Sequence, residues 1–273
     1  MSVSEAWSIA TTTERLRARW RLGRPTFGAW AALGSSYVVE VLTRVGFDWI
    51  GIDLQHGLAL EGQVVGLLQA AAITQTPALV RVAGHSSEGI LRALDAGANG
   101  VIVPMVNSAE DAAAVAAACV YPPAGERSWG PARPQLGMPS YSATTANAAV
   151  VCAVMVETRA AVESIDAIVA VAGVEAIFVG PTDLSLSYGA ALDAVGAQEA
   201  MSAAILEVRL ACERAGVVPG IYAGSPSEAL RWAGAGFRLI AVTSDVSMVR
   251  ASALDAFAAL GDAPGPNSQA TGN

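Results

Sequence analysis

Eight short apolar runs, each followed by a helical pattern, constrain the fold of this chain more than any other feature of its sequence. The runs are Thr26–Ala31, Trp49–Asp53, Pro77–Val82, Gly100–Pro104, Val150–Val156, Glu175–Val179, Val218–Tyr222 and Leu239–Val242. They are continuous and rich in β-branched residues, as parallel strands covered by helices on their outer face must be. Helical patterns occupy Ser36–Val45, Gly62–Ile73, Glu88–Ala96, Ala109–Cys119, Ala160–Val171, Gln198–Ala215, Pro226–Ala235 and Met248–Leu260, and a short helix at Thr13–Arg21 precedes the first strand. Eight strand–helix units close naturally into an α/β fold of one domain, a (β/α)8 barrel over residues 1–260. Gly46, Gly97, Gly173, Gly216 and Gly236 each stand a few residues before a strand, where a left-handed helix C-cap belongs. An open doubly wound sheet is the alternative. It wants a Gly-rich phosphate loop after an early strand, and Leu33-Gly34-Ser35-Ser36 holds a single glycine.

Two segments fall outside the repeat. Residues Tyr121–Asn147 are too long for an ordinary connection and carry no evident helix, and Arg127, Trp129, Arg133 and Tyr141 suit a lid over a site. The last residues, 261–273, are mostly Gly, Pro, Asn, Ser and Ala with little to bury, and are expected to fray.

With 53% apolar and 15% charged residues, the 273-residue chain can build a large core. A net charge of −8, with no cluster of Lys and Arg, argues against nucleic acid as a partner. No run approaches the ~20 apolar residues of a membrane span. Met1–Glu5 lacks the basic and apolar regions of a secretory signal. Cys119, Cys152 and Cys212 are odd in number and set in apolar surroundings. Buried free thiols in a reducing cytoplasm are therefore expected.

In a barrel of this kind the C-terminal ends of the strands face one mouth. Those positions hold Asp53 with Gln55 and His56 close behind, Arg81, Glu157, and Gly180-Pro181-Thr182-Asp183. Glu157 and Asp183 each end an apolar strand, and a carboxylate placed there gives up solvation unless something positive meets it. Side by side on one rim they would be two hard oxygen ligands for a divalent cation that keeps positions for water and substrate. Either acid alone could instead cap a following helix or pair with Arg159. Arg81 needs an anion, which could be Asp53 or a substrate oxygen turning into an enolate. His56 could be a base or an ordinary loop histidine, and His85 reads as surface. Together these groups could hold an α-keto acid on a metal and move a proton beside its carbonyl.

The segments Gly46-Phe47-Asp48-Trp49, Ile52-Asp53-Leu54-Gln55-His56, Val80-Arg81, Val103-Pro104-Met105-Val106, Tyr121-Pro122-Pro123-Ala124-Gly125 with Arg127, Val156-Glu157-Thr158-Arg159 and Gly180–Ser185 resemble, in order and spacing, the HpcH/HpaI aldolases. The resemblance spans about Arg15 to Leu260. It implies a class II pyruvate aldolase with a divalent metal (Mg, Mn or Co) on Glu157 and Asp183. Pyruvate would bind that metal, with Asp53, Gly180, Pro181 and Thr182 at the substrate. Arg81 would stabilise the enolate oxygen and His56 would act through a water. Asp95 matches a position thought to pair with that histidine across a subunit boundary, so a homo-oligomer, a trimer or a hexamer of two trimers, is expected.

The reaction so implied splits a 4-hydroxy-2-oxo acid into pyruvate and an aldehyde. Oxaloacetate decarboxylation through the same enolate, or a barrel that only binds a keto acid, are the alternatives. Met155 stands where many relatives carry Gln, and Gln55 where several carry Glu. Both changes leave the aldehyde preference open. Trp7, Trp20, Trp232 and the final helix are expected to supply apolar surface for assembly.

Overall fold

Each apolar run becomes a strand that pairs in parallel with the strands before and after it. In the computed structural model, which describes residues 7–138, 140–189 and 195–260, the strands close in sequence order into a barrel. Along the chain run α1 (Ile9–Arg21), β1 (Thr26–Ala31), α2 (Ser36–Val45), β2 (Trp49–Asp53), α3 (Val64–Ile73), β3 (Ala78–Arg81), α4 (Ser87–Asp95), β4 (Gly100–Val103) and α5 (Ala109–Cys119). There follow α6 (Pro134–Gly137), α7 (Ala143–Ala149), β5 (Val151–Val156), α8 (Arg159–Glu163), α9 (Ile165–Val169), β6 (Ala176–Val179), α10 (Pro181–Ser187), α11 (Val195–Ala215), β7 (Val218–Tyr222), α12 (Pro226–Gly234), β8 (Leu239–Ser244) and α13 (Asp245–Ala258). The five glycines expected at helix ends all have positive φ, between 71° and 106°. The expected tail, 261–273, lies outside the described residues.

Strand side chains divide between two cores. Ile50, Ile52, Val80, Val154 and Ile177 point outward into the layer beneath the helices. Trp30, Trp49, Leu79, Ile102, Met155 and Phe178 fill the barrel interior, joined by Leu16 and Trp20 of α1. The two indoles need room: a Cβ on Gly28 would stand 2.3 Å from the Trp49 ring, and one on Gly51 would stand 2.4 Å from Trp30. α1 closes the N-terminal end of the barrel. Asn99, just before β4, anchors it by donating to Ile9 O, Thr12 Oγ1 and Thr13 Oγ1 at 3.1, 2.7 and 2.9 Å.

Four expectations are corrected. The segment 121–147 is not free of helix: α6 lies within it, and α7 begins there with Ser142 as its N-cap. Nor is it a lid over the mouth in this chain. It connects α5 to β5, and so reaches the barrel at the N-terminal end of the strands. There Arg127 pairs with Asp95 at 2.7 Å, and Arg133 donates to Ala96 O at 3.1 Å and lies over the Trp7 ring. The helix expected over Ala160–Val171 breaks at Ser164 into α8 and α9. Trp20 and Trp232 are buried in the fold and offer no assembly surface. The final helix leaves apolar residues in the open: Val249, Leu254 and Phe257 are 57%, 57% and 76% exposed, and Asp245 is its one buried residue.

Candidate active site

The β2–β3 register places Asp53 directly beside Arg81, each the last residue of its strand. Both are buried, and the carboxylate accepts from Arg81 Nε at 2.9 Å and from Nη2 at 2.5 Å. Asp53 also accepts from the backbone N–H of Gln55 and of His56, at 3.0 and 3.2 Å, and from Trp30 Nε1 at 3.2 Å. Burial alone would push this carboxyl up. The Arg81 guanidinium and the two backbone donors outweigh it and hold Asp53 below the ordinary carboxylate range. Asp53 is thus the anion that Arg81 requires. Arg81 Nη1 makes no hydrogen bond to a described residue, and the side chain lines the cavity at the barrel mouth.

That cavity, of about 440 Å³, is walled by Trp30, Asp53, His56, Arg81, Thr182 and Asp183 among others. Larger hollows of about 710 and 890 Å³ lie elsewhere, one at the N-terminal end around Arg17 and Glu175 and one along α3 and α4. Neither gathers this set of charges at the strand ends. His56 is exposed, with no side-chain hydrogen bond among the described residues.

Across the mouth, Glu157 follows β5 and is only 1% exposed. Its Oε1 accepts from the backbone N–H of Met105 at 2.7 Å, and a Cβ on Gly180 would stand 2.7 Å from its Oε2. The carboxylate packs against Gly180, where an added side chain would displace it. Burial lifts the Glu157 carboxyl above its ordinary range and the nearby charge of Asp183 lifts it further; Met105 N–H, Arg81 and His56 pull the other way. That balance shows that Asp183, Arg81 and His56 lie within electrostatic reach of Glu157. Pro181, Thr182 and Asp183 form the first turn of α10, with Gly180 as the N-cap. The N–H groups of a first turn have no acceptor within their own helix and are open to an anion.

The donor set suits a hard divalent cation. Two carboxylates, one deeply buried and destabilised by the other, call for positive charge. Among the described residues no group of three or more His, Cys, Asp and Glu could hold a metal ion; a cation held by Glu157 and Asp183 alone would leave positions for water and substrate.

One expected member stands apart. Asp95, at the end of α4, belongs to the opposite end of the barrel from His56, and Arg127 holds it. Burial raises its carboxyl above the ordinary range in spite of that partner. Several wall residues escaped the sequence reading. Tyr222 and Ser244, from the ends of β7 and β8, line the cavity with Trp30 and Phe178. Applying the strand-end rule to the last two strands would have found Tyr222, and Ser244 lies just past the expected end of β8. Asp245 is buried and accepts from the N–H of Ala32 and Leu33, both at 3.0 Å, pinning the loop after β1. The three cysteines are buried and unpaired, as expected.

The sequence profile of the HpcH/HpaI aldolase/citrate lyase family matches residues 26–252. A hydroxypyruvate/pyruvate aldolase of Rhizorhabdus wittichii is 38% identical over 240 residues, covering 88% of this chain and 95% of its own. A 4-hydroxy-2-oxovalerate aldolase of Novosphingobium aromaticivorans is 42% identical over 184 residues, covering 66% of this chain and 70% of its own. A crystal structure of an HpcH/HpaI aldolase/citrate lyase family protein from Burkholderia cenocepacia superposes with a TM-score of 0.84 at 33% identity, covering 92% of this chain and 99% of that one.

Proposed function

Since the chain belongs to the HpcH/HpaI aldolase/citrate lyase family, we propose that it is a divalent-metal-dependent pyruvate aldolase. It cleaves 4-hydroxy-2-oxo acids to pyruvate and an aldehyde, and runs the condensation in reverse. The observation that carries the reading is Glu157: a carboxylate 1% exposed, facing the like charge of Asp183 at the mouth where Arg81 and His56 converge. Glu157 and Asp183 would hold the cation, Mg, Mn or Co, which supplies Lewis-acid polarisation of the 2-oxo group.

The protein's own groups do the rest. The first-turn N–H groups of Thr182 and Asp183, with Gly180 and Pro181 shaping the approach, receive the substrate carboxylate. His56, at the open side of the cavity, takes the 4-hydroxyl proton through a water. The C3–C4 bond then breaks, the aldehyde departs, and the electron pair moves toward the C2 oxygen, which faces the free edge of Arg81. Asp53 keeps that guanidinium oriented, so the positive charge is in place before the oxyanion develops. Return of a proton to C3 completes pyruvate.

Assembly is part of the proposal. Asp95 cannot meet His56 of its own chain from the other end of the barrel, and α13 leaves its apolar residues uncovered. A trimer, or a hexamer of two trimers, in which Asp95 of one copy serves His56 of the next accounts for both. No described helix is long and apolar enough to cross a membrane, and three unpaired buried thiols suit a reducing cytoplasm.

Chelation tests the reading. Pyruvate release from a panel of 4-hydroxy-2-oxo acids should stop after EDTA treatment and return with added divalent metal. Glu157→Gln and Asp183→Asn should abolish it while the circular dichroism spectrum is retained. Full turnover in chelator overturns the metal assignment.

A further inference from the structure

The cavity has a wall that the metal and the enolate do not use. Tyr222 and Ser244 stand on it, opposite β3 and β4 in the ring of strands. The Tyr222 ring lies edge-on to Trp30 with centroids 5.8 Å apart, and its hydroxyl is within hydrogen-bonding reach of Ser244. Ser244 is itself fixed: as the N-cap of α13, its Oγ accepts from the N–H of Ser247 at 3.2 Å. A packed ring and a capped serine hold the phenol in one place. Burial raises the phenol above its ordinary pKa, so at neutral pH it is an uncharged hydrogen-bond donor.

The charges around it settle what it can recognise. Among the described wall residues Arg81 is the one guanidinium, no lysine is present, and Asp53 already occupies Nε and Nη2. The acids Asp53 and Asp183 share the same wall. A second carboxylate on the substrate would therefore enter a site whose fixed cation is taken. A neutral hydroxyl would instead meet the half-buried hydroxyls of Tyr222 and Ser244.

We propose that Tyr222, backed by Ser244, is a specificity-determining residue that binds the aldehyde half, and that its preferred partners are short aldehydes carrying an uncharged hydroxyl. The inference rests on the aldolase reading and adds the acceptor class to it. A site built to hydrogen-bond a substrate hydroxyl penalises an isostere that lacks it, because its own polar group is then left unpaired.

Condensation with pyruvate is to be measured for glycolaldehyde, for its isostere propionaldehyde, and for the charged succinic semialdehyde. The expected kcat/KM favours glycolaldehyde over propionaldehyde by about tenfold or more, with the semialdehyde poorest. In Tyr222→Phe, which keeps the ring and its packing, the ratio of the first two should collapse to within about threefold of one. An unchanged ratio in Tyr222→Phe overturns the proposal, as does a wild-type preference for propionaldehyde or the semialdehyde. Metal-dependent deuterium exchange at the methyl group of pyruvate needs no aldehyde and separates the two levels. Exchange without the hydroxyl preference defeats this inference alone, whereas absence of exchange defeats the aldolase reading and this inference with it.

Discussion

The backbone N–H of Met105 donates to Glu157 Oε1 at 2.7 Å from a left-handed conformation, with φ of 57°. Met105 follows Pro104 at the end of β4, and its side chain is substantially exposed at the rim. A non-glycine residue there costs about 1–3 kcal/mol and persists only when its surroundings demand it. Here the strained turn aims an amide at one oxygen of the buried carboxylate. The other oxygen lies against Gly180.

Backbone geometry at Met105 should therefore govern metal affinity. Met105→Gly adopts the same φ freely and should bind Mn²⁺ as tightly as wild type, with stability within about 1 kcal/mol. Met105→Val places a β-branched residue at positive φ, and should lose about 1–3 kcal/mol of stability and weaken Mn²⁺ binding in calorimetry. Equal affinity in the glycine and valine variants would show that the turn does not position Glu157.

Glu157 should also destabilise the metal-free protein. A carboxyl whose folded pKa is raised above its unfolded value of about 4.3 opposes folding once ionised. The penalty is absent below that value, grows as pH rises toward the folded pKa, and is complete above it. At neutral pH, metal-free Glu157→Gln should accordingly melt at a higher temperature than metal-free wild type, and the advantage should vanish on acidification to about pH 4. Divalent metal should raise the melting temperature of wild type and leave the variant nearly unmoved. A less stable Glu157→Gln at neutral pH contradicts the assignment.

Arg81 and His56 should separate in their effects. Arg81→Ala strips a buried carboxylate of its partner, which costs about 3–5 kcal/mol of stability in urea unfolding. It also removes the oxyanion contact, worth on the order of 2.7–4 kcal/mol to catalysis, so aldol cleavage and oxaloacetate decarboxylation should both fall. Asp53 adds a pH signature. Its lowered pKa contributes stability that is present above about pH 3.9 and lost as pH falls through the folded value. His56→Ala touches no side-chain hydrogen bond and should fold normally. It should impair aldol cleavage more than decarboxylation, which has no hydroxyl to deprotonate. Equal loss of the two activities would remove His56 as the aldol base.

Activity should depend on assembly. Dilution below the association threshold should lower specific activity, and mixing inactive His56→Ala with inactive Asp95→Ala subunits should restore part of the turnover through hybrid sites. Substituting Phe257 and Leu254 on α13 with Lys should shift light scattering toward smaller species. A fully active monomer rules the shared site out.

The strand count, the helix ends and most of the mouth were legible in the sequence because they rest on local rules. Parallel strands buried on both faces are continuous apolar runs, and a left-handed cap selects glycine. Strand ends share one rim, which places Asp53, Arg81, Glu157 and Asp183 together from their positions alone. What the tertiary structure decided are relationships between distant segments. The β2–β3 register paired Arg81 with Asp53, a partnership the sequence left open against a substrate oxygen. The long segment after α5 seemed suited to a lid by its arginines and aromatics, yet an α-to-β connection must arrive at the N-terminal end of the barrel. Trp20 and Trp232 could not be distinguished from surface tryptophans by composition, because burial depends on which face meets the core. The hold of Met105 on Glu157 joins the ends of β4 and β5, a relationship that no single stretch of residues encodes; the strand-end rule reaches Tyr222, but only the closed barrel sets its ring against Trp30.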